Sequence, residues 1–204
     1  MSTLTNTPLP IPEGLLRALL AAYATPPRAY HSFTHVQEVI RHFHDVAATG
    51  PGWQHPNEVF LAILFHDAIY VPGRSDNEPR SADLALEACA QFFAHQPLDT
   101  ARVRTLIELT ARHGKLHRDE LDDETRLFLD CDMAILGSDP AAFDAYDAAI
   151  AEEYAAVPKP VYRLNRNRFL KHLADADRLF LSDFFHARLD ARARANLRRT
   201  LAAS

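Results

Sequence analysis

The sequence predicts an all-α fold, arranged as a single compact multi-helix bundle over residues 1–204. Apolar residues recur at three- and four-residue steps along most of the chain, which is typical of amphipathic helices. No segment has the alternation of a half-buried strand or an Asn-Gly hairpin turn. The composition, 48% hydrophobic and 24% charged over 204 residues, is ordinary for a soluble domain with a sizeable core.

Three helices are predicted in the first third of the chain. The first has an apolar stripe from Leu15 to Tyr23 and ends at Pro26-Pro27. The second begins after Ser32, a favourable N-cap residue, and ends at Gly50. The third runs from Pro56 to about residue 68 and is apolar on all sides, which is typical of a central helix.

Six further helices are predicted after a polar loop. The fourth begins near Asn77 or Ser81, which leaves Pro79 in or before its first turn, and the fifth is capped by Asp99. Gly137 is placed just past the end of the sixth, at a C′ position. The last four helices cover residues 121–136, 140–157, 162–176 and 183–203.

Charge and targeting features limit the classes of partner. A net charge of −5 gives the chain no global attraction to nucleic acid or to an anionic membrane. No apolar run approaches the roughly 18 residues needed to span a bilayer, and no secretion signal is recognisable. Cys89 and Cys131 form no CxxC pair. The sequence predicts a cytoplasmic protein that binds neither nucleic acid polymers nor membranes, and its long C-terminal helices would suit a homodimer face.

Histidines and aspartates interrupt the apolar helices at a few positions. His66 and Asp67 end the most apolar helix, and Asp130 and Asp132 interrupt the apolar stretch of the sixth helix. A charge on a core-facing helix is costly unless it is paired or bound to a metal ion. Imidazole and carboxylate ligands without thiolate suit a divalent ion, namely Mn, Mg, Fe, Ni, Co or Zn.

The order of these residues resembles the HD superfamily of metal-dependent phosphohydrolases, whose signature is His…His-Asp…Asp on an all-α core. The likeness is closer to one bacterial branch of similar chain length and runs from about Tyr30 to Leu201. Its matching segments are residues 30–35, 65–70, 76–78 with 81–82, 129–137, 153–154 and 195–197. A second His-Asp dipeptide, His44-Asp45, lacks this setting.

The resemblance implies both a ligand set and catalytic roles. The implied metal ligands are His35, His66, Asp67 and Asp132. Asp67 would also orient the attacking water, while three further residues would neutralise developing charge or protonate the leaving oxygen: His31, Glu78 and His113. The implied reaction is hydrolysis of a phosphoester in a nucleotide or another small phosphorylated metabolite.

Structural interpretations of the same residues stand beside these. Asp130 lies about 200° around the helix from Asp132, so one ion can take only one of them directly, and Asp130 would support a ligand or cap a neighbouring segment. His31 would pack at the start of its helix. His113 would stabilise a helix C-terminus, and Glu78 a helix N-terminus.

Two other functions are compatible with the same motif. A di-iron oxygenase of the HD fold needs extra histidines between the His-Asp pair and the last Asp. His95 and His113 lie in that interval, but His95 is at a peripheral helix end, which favours a single metal ion. A non-catalytic module that binds a phosphorylated ligand is the third interpretation, and the intact signature argues against it.

Overall fold

The computed structural model describes residues 4–203 and confirms the all-α prediction. These residues form nine α-helices and two short 3-10 helices, and no strand occurs among them. No helix in this range is long and apolar enough to cross a membrane.

The chain divides into two compact units, Met1–Ala111 and Arg112–Ser204. The first unit contains α1 Glu13–Ala24, α2 Phe33–Thr49, α3 Pro56–Phe65, α4 Asn77–Phe92 and α5 Thr100–Thr110. The second contains α6 Asp123–Met133, α7 Pro140–Glu153, α8 Lys159–Asp175 and α9 Asp183–Ala202, with 3-10 helices at Arg118–Glu120 and Ala134–Gly137. The single bundle over residues 1–204 stays a prediction.

Helix α3 is the central helix of the first unit, as its sequence predicts. Every residue from Val59 to Phe65 is buried, and the helix packs against α2, α4 and α5. It ends at Phe65 rather than near residue 68. Beyond it the chain turns: the Ala68 N–H bonds the Phe65 carbonyl three residues back, and the carbonyls of residues 67 and 68 accept hydrogen bonds from Arg28.

The predicted caps of the first unit coincide with the observed boundaries. Ser32 is the N-cap residue of α2, and Gly50 follows its last turn. Helix α4 begins at Asn77, so Pro79 lies in the first turn, where its missing N–H is not needed. The Asp99 side chain accepts a hydrogen bond from the Arg102 N–H and so caps α5.

In the second unit, Gly137 has a different role from the predicted one. The sixth helix ends at Met133, and a 3-10 helix continues the chain to Gly137. Gly137 is not among the glycines with positive φ. A Cβ atom there would lie 2.6 Å from the Leu189 Cβ and 3.0 Å from its carbonyl oxygen. Glycine is needed because α9 approaches closely, not because the backbone is left-handed.

The boundary between α7 and α8 also differs from the prediction. Helix α7 ends at Glu153 instead of residue 157. The Tyr154 N–H still bonds the Ile150 carbonyl four residues back, but the Ala155 N–H bonds the Glu152 carbonyl three residues back, so the chain turns out of the α-helix. Helix α8 begins at Lys159, three residues earlier than predicted, since Pro160 is tolerated in a first turn.

Candidate metal centre

Three of the predicted metal ligands converge in the first unit. His35 lies in the first turn of α2, and His66 and Asp67 directly follow α3. The two imidazoles are buried, at 5% and 1% exposure, and their Nε2 atoms lie 3.1 Å apart. Asp67 Oδ2 lies 3.1 Å from His66 Nε2 and 3.8 Å from His35 Nε2. Residues from two separate helix ends thus direct their donor atoms at one point.

The backbone of α3 orients the His66 ring. His66 Nδ1 lies 2.9 Å from the carbonyl oxygen of Ile63, one turn earlier in the helix. A carbonyl only accepts, so Nδ1 carries the proton and donates it. In the neutral ring Nε2 then holds a lone pair, and this atom faces His35 and Asp67. A backbone carbonyl behind a ligating histidine is a common partner in metal sites.

The donor geometry fits a divalent cation. A lone pair facing a carboxylate oxygen at 3.1 Å is repulsive unless a cation or a proton lies between the two atoms. At metal–ligand distances of about 2.0–2.2 Å, donors at right angles around one ion are about 3 Å apart, and opposite donors are about 4.2 Å apart. The observed separations of 3.1, 3.1 and 3.8 Å lie in that range. A doubly protonated His66 paired with Asp67 is the alternative source of positive charge.

The segment after Asp67 is fixed by two side chains of α4. Ser81 pairs with both backbone groups of Ile69: the Ile69 N–H donates to Ser81 Oγ at 3.0 Å, and this hydroxyl donates to the Ile69 carbonyl at 3.2 Å. Asn77 pairs with both backbone groups of Val71, each at 3.0 Å. Both side chains are buried. They bond the chain as a neighbouring strand would, and so hold the loop that follows His66 and Asp67.

His31, another predicted site residue, lies beside this cluster of side chains. Its ring stacks on Tyr70 with the centroids 4.0 Å apart and the planes at 27°. Its centroid is 6.1 Å from that of His35, and Tyr30 contacts both histidine rings. The ring is half-buried. His31 is therefore packed at the start of α2 and also near the donor atoms.

Glu78 is not joined to this cluster by any hydrogen bond or ion pair that the structure gives for residues 4–203. It lies half-buried in the first turn of α4, where a carboxylate interacts favourably with the helix N-terminus. Its predicted role in the site stays a prediction.

The other two predicted site residues pair with each other in the second unit. His113 Nε2 lies 2.7 Å from Asp132 Oδ2, and both side chains are about one-sixth exposed. Asp132 is on α6, and His113 is in the turn that follows α5. A histidine held by a carboxylate at this distance is suited to hold or donate a proton.

Asp130 caps the chain ahead of α9. Its Oδ1 accepts from the Leu181 N–H at 2.8 Å, and its Oδ2 accepts from the Ser182 N–H at 2.7 Å and the Ser182 hydroxyl at 2.6 Å. Burial raises the pKa of Asp130 to about 7, and these hydrogen bonds oppose the rise. Both carboxylate oxygens are engaged within the second unit, which agrees with the capping interpretation.

Arg28 is a site neighbour that the sequence analysis missed. It donates to the carbonyl oxygens of Asp67 and Ala68, immediately after the His-Asp pair. Because its partners are backbone oxygens, no residue pattern indicates them. Its position, two residues before the Tyr30–His35 motif, is the only signal in the sequence.

No protein-family model, curated protein or solved structure matches the chain. The HD resemblance therefore depends on the motif residues themselves.

Proposed function

We propose that the chain is a metal-dependent phosphohydrolase that cleaves a phosphoester of a nucleotide or another small phosphorylated metabolite. The observation that carries the proposal is the convergence of His35, His66 and Asp67, with the His66 ring oriented by the Ile63 carbonyl. The order of the motif residues in the sequence, which resembles the HD signature, supports the same function.

His35, His66 and Asp67 would hold one divalent ion, which is Mn, Mg, Fe, Ni, Co or Zn. Asp132 is kept as the fourth ligand on the basis of the sequence order. When bound, such an ion polarises a phosphoryl oxygen and lowers the pKa of a bound water.

The remaining roles belong to the side chains of the chain itself. Asp67 orients the attacking water as well as binding the ion. The His31 imidazole, whose centroid is 6.1 Å from that of His35, donates a hydrogen bond to the phosphoryl group and neutralises developing charge. His113, held by Asp132 at 2.7 Å, supplies the proton to the leaving oxygen. The proposed place of Glu78 in this site depends on the resemblance alone.

The position of His95 weighs against the di-iron oxygenase. His95 is exposed in the turn that follows α4, whereas His35 is on α2 and His66 directly follows α3. Of the two extra histidines that this function requires, only His113 is paired with a predicted ligand. A cytoplasmic location remains a prediction from the sequence.

The test is metal analysis followed by a turnover assay. The protein is purified anaerobically, its metal content per chain is measured, and release of phosphate from a panel of nucleotides and sugar phosphates is assayed with Mn, Mg, Ni and Co. We expect turnover that requires a metal and is abolished in Asp67→Asn. Asp45→Asn is the matched control, because Asp45 also follows a histidine but is 54% exposed on α2. Metal-bound protein without turnover on any substrate would favour the binding module, and two irons per chain would favour the oxygenase.

A further inference from the structure

Arg28 connects three segments of the first unit through their backbone. It lies half-buried in the loop between α1 and α2. Its guanidinium donates to four carbonyl oxygens: Ala22 at 3.0 Å, His31 at 3.1 Å, Asp67 at 2.5 Å and Ala68 at 3.0 Å. These oxygens belong to the end of α1, the loop before α2, and the turn after α3.

Two aromatic rings hold the guanidinium in this position. Its carbon lies 5.3 Å from the ring centroid of Tyr23 and 5.7 Å from that of Tyr70. The Tyr23 hydroxyl donates to the Leu64 carbonyl at 3.1 Å, so this ring is itself fixed to α3. Tyr70 stacks on His31. Contacts within about 6 Å of a ring face attract a cation, and here they also restrict the plane of the guanidinium.

Only an arginine can make this set of contacts. The guanidinium offers five N–H donors in one rigid plane, whereas a lysine ammonium is a compact charge with three rotating donors. A cation beside the carbonyls at the end of α3 also complements the negative end of that helix. Replacement by lysine would keep the charge and lose the simultaneous bonds to separate segments.

The same guanidinium nitrogen bonds the backbone on both sides of the candidate metal centre. Arg28 Nη1 contacts the Asp67 carbonyl and the His31 carbonyl. Asp67 supplies the carboxylate ligand of the proposed centre, and His31 lies in the turn that leads into α2 and His35. Ser81 and Asn77 fix only the later residues of the loop, Ile69 and Val71.

We propose that Arg28 is a positioning residue that sets the distance between the Asp67 carboxylate and the His35 imidazole, and thereby the affinity of the centre for a divalent ion. The inference rests on the metal centre of the proposed function, and not on the phosphohydrolase reaction. Arg28 would act through the backbone oxygens that it binds.

The matched control for Arg28 is Arg194. Its guanidinium also donates to several carbonyls, those of Ala174, Ala176 and Asp177, but in the second unit. It differs in having an ion pair with Asp190 at 2.7 Å. Arg28→Lys and Arg194→Lys therefore each remove an arginine that binds several backbone oxygens, and only the first is next to the histidine and aspartate ligands.

The experiment titrates the metal-free full-length protein with Co²⁺ and records both the dissociation constant and the visible spectrum of bound Co²⁺, which reports the coordination geometry. For R28K we expect affinity weakened by about 10–100-fold, as for other residues that support metal ligands, together with an altered spectrum. For R194K we expect lower thermal stability with wild-type affinity and spectrum. If R28K does not yield folded protein, Arg28→Gln is titrated instead. This variant removes both the charge and the planar set of N–H donors.

Wild-type affinity and spectrum in a folded Arg28 variant would overturn the inference, and so would equal weakening in R194K. A wild-type protein that binds no Co²⁺ would overturn this inference and the proposed metal centre together. A wild-type protein that binds Co²⁺ but hydrolyses no phosphoester would overturn the proposed function alone, while weaker, spectrally altered Co²⁺ binding in R28K would still support the role of Arg28.

Discussion

The chain contains two His-Asp dipeptides, and their surroundings differ sharply. His66-Asp67 directly follows the buried helix α3, where His66 is 1% exposed and lies 3.1 Å from a second imidazole. His44-Asp45 lies within α2, with Asp45 largely exposed and near the exposed side chain of Arg41 and the mostly buried side chain of His42. The side chains of His66 and Asp67 thus belong to a cluster of donor atoms, whereas His44-Asp45 lies along a helix with its aspartate exposed to solvent.

The difference arises from where each dipeptide lies relative to a helix end. Inside a helix, successive side chains diverge by about 100°, so His44 and Asp45 point in different directions. After Phe65 the helix ends and the chain turns, which allows His66 Nε2 and Asp67 Oδ2 to face each other. Whether a His-Asp dipeptide can bring its two donor atoms together therefore depends on its position relative to a helix end.

The largest expected effect is a loss of metal affinity that distinguishes His66 from His44. His66→Ala removes a donor atom from the cluster, so we expect metal affinity to fall by more than the roughly 100-fold upper range of supporting residues. His44→Ala should leave the affinity unchanged. Isothermal titration of the metal-free proteins with Mn²⁺ measures both. Similar affinities in the two variants would remove the distinction between the dipeptides.

Asp130 and Asp132 of α6 extend the comparison. They too are residues of one type that lie close in sequence and have different hydrogen-bond partners. Asp132→Ala is expected to lose metal and turnover together, at least about 10-fold in affinity, since it removes the predicted fourth ligand. Asp132→Asn tests whether the charge is needed. Titration with Mn²⁺ and the phosphate-release assay give the two readouts. Unchanged metal binding in Asp132→Ala would show that the predicted ligand is misassigned.

Asp130→Ala is expected to affect stability and to leave the metal in place. The substitution leaves three buried or half-buried donors of Leu181 and Ser182 without their acceptor, which should lower the free energy of unfolding by about 2–3 kcal/mol. Urea unfolding measures the loss. Lost metal binding with unchanged stability would mean that the aspartate motif is shifted by two residues.

The smallest expected effect is a change in the pH dependence of stability, which arises from His42, two residues before the His44-Asp45 dipeptide. Burial, with a contribution from Arg41, lowers the pKa of the neighbouring His42 from 6.5 to about 4, against the opposing charges of Asp45 and Glu38. The unfolded chain therefore takes up a proton at higher pH than the folded chain. Stability from this group is present above pH 6.5 and declines as the pH falls toward 4, by about 1–2 kcal/mol between roughly pH 6.5 and 5.

His42→Gln should remove this portion of the pH dependence, and His44→Gln should keep it. Urea unfolding at several pH values measures the slope for both. A wild-type slope in His42→Gln would show that His42 is accessible to protons in the folded chain.

Much of the fold was predictable because it depends on local signals. Ser32, Gly50 and Asp99 lie at helix boundaries whose chemistry involves only the next few residues, and the all-round apolar character of α3 indicates its central position. The role of Gly137 was not predictable, because the close approach of Leu189 arises from packing between elements far apart in sequence.

The side chains of the candidate site were predictable, but the contacts that fix its backbone were not. His35, His66 and Asp67 are identified by residue type and order, and the structure brings them together. Arg28, Ser81 and Asn77 bond to the backbone groups of Asp67, Ile69 and Val71, and such bonds do not depend on the side chain of the partner. Such contacts depend on the path of a loop, which the sequence pattern does not specify.

Anomalous diffraction from Mn²⁺-loaded crystals would show whether His35, His66 and Asp67 hold a metal ion. We expect one anomalous peak per chain in the first unit, about 2.0–2.2 Å from His35 Nε2, His66 Nε2 and Asp67 Oδ2. A protein that binds no Mn²⁺ at this point, with His66 bonded directly to Asp67 as a protonated imidazole, would contradict it.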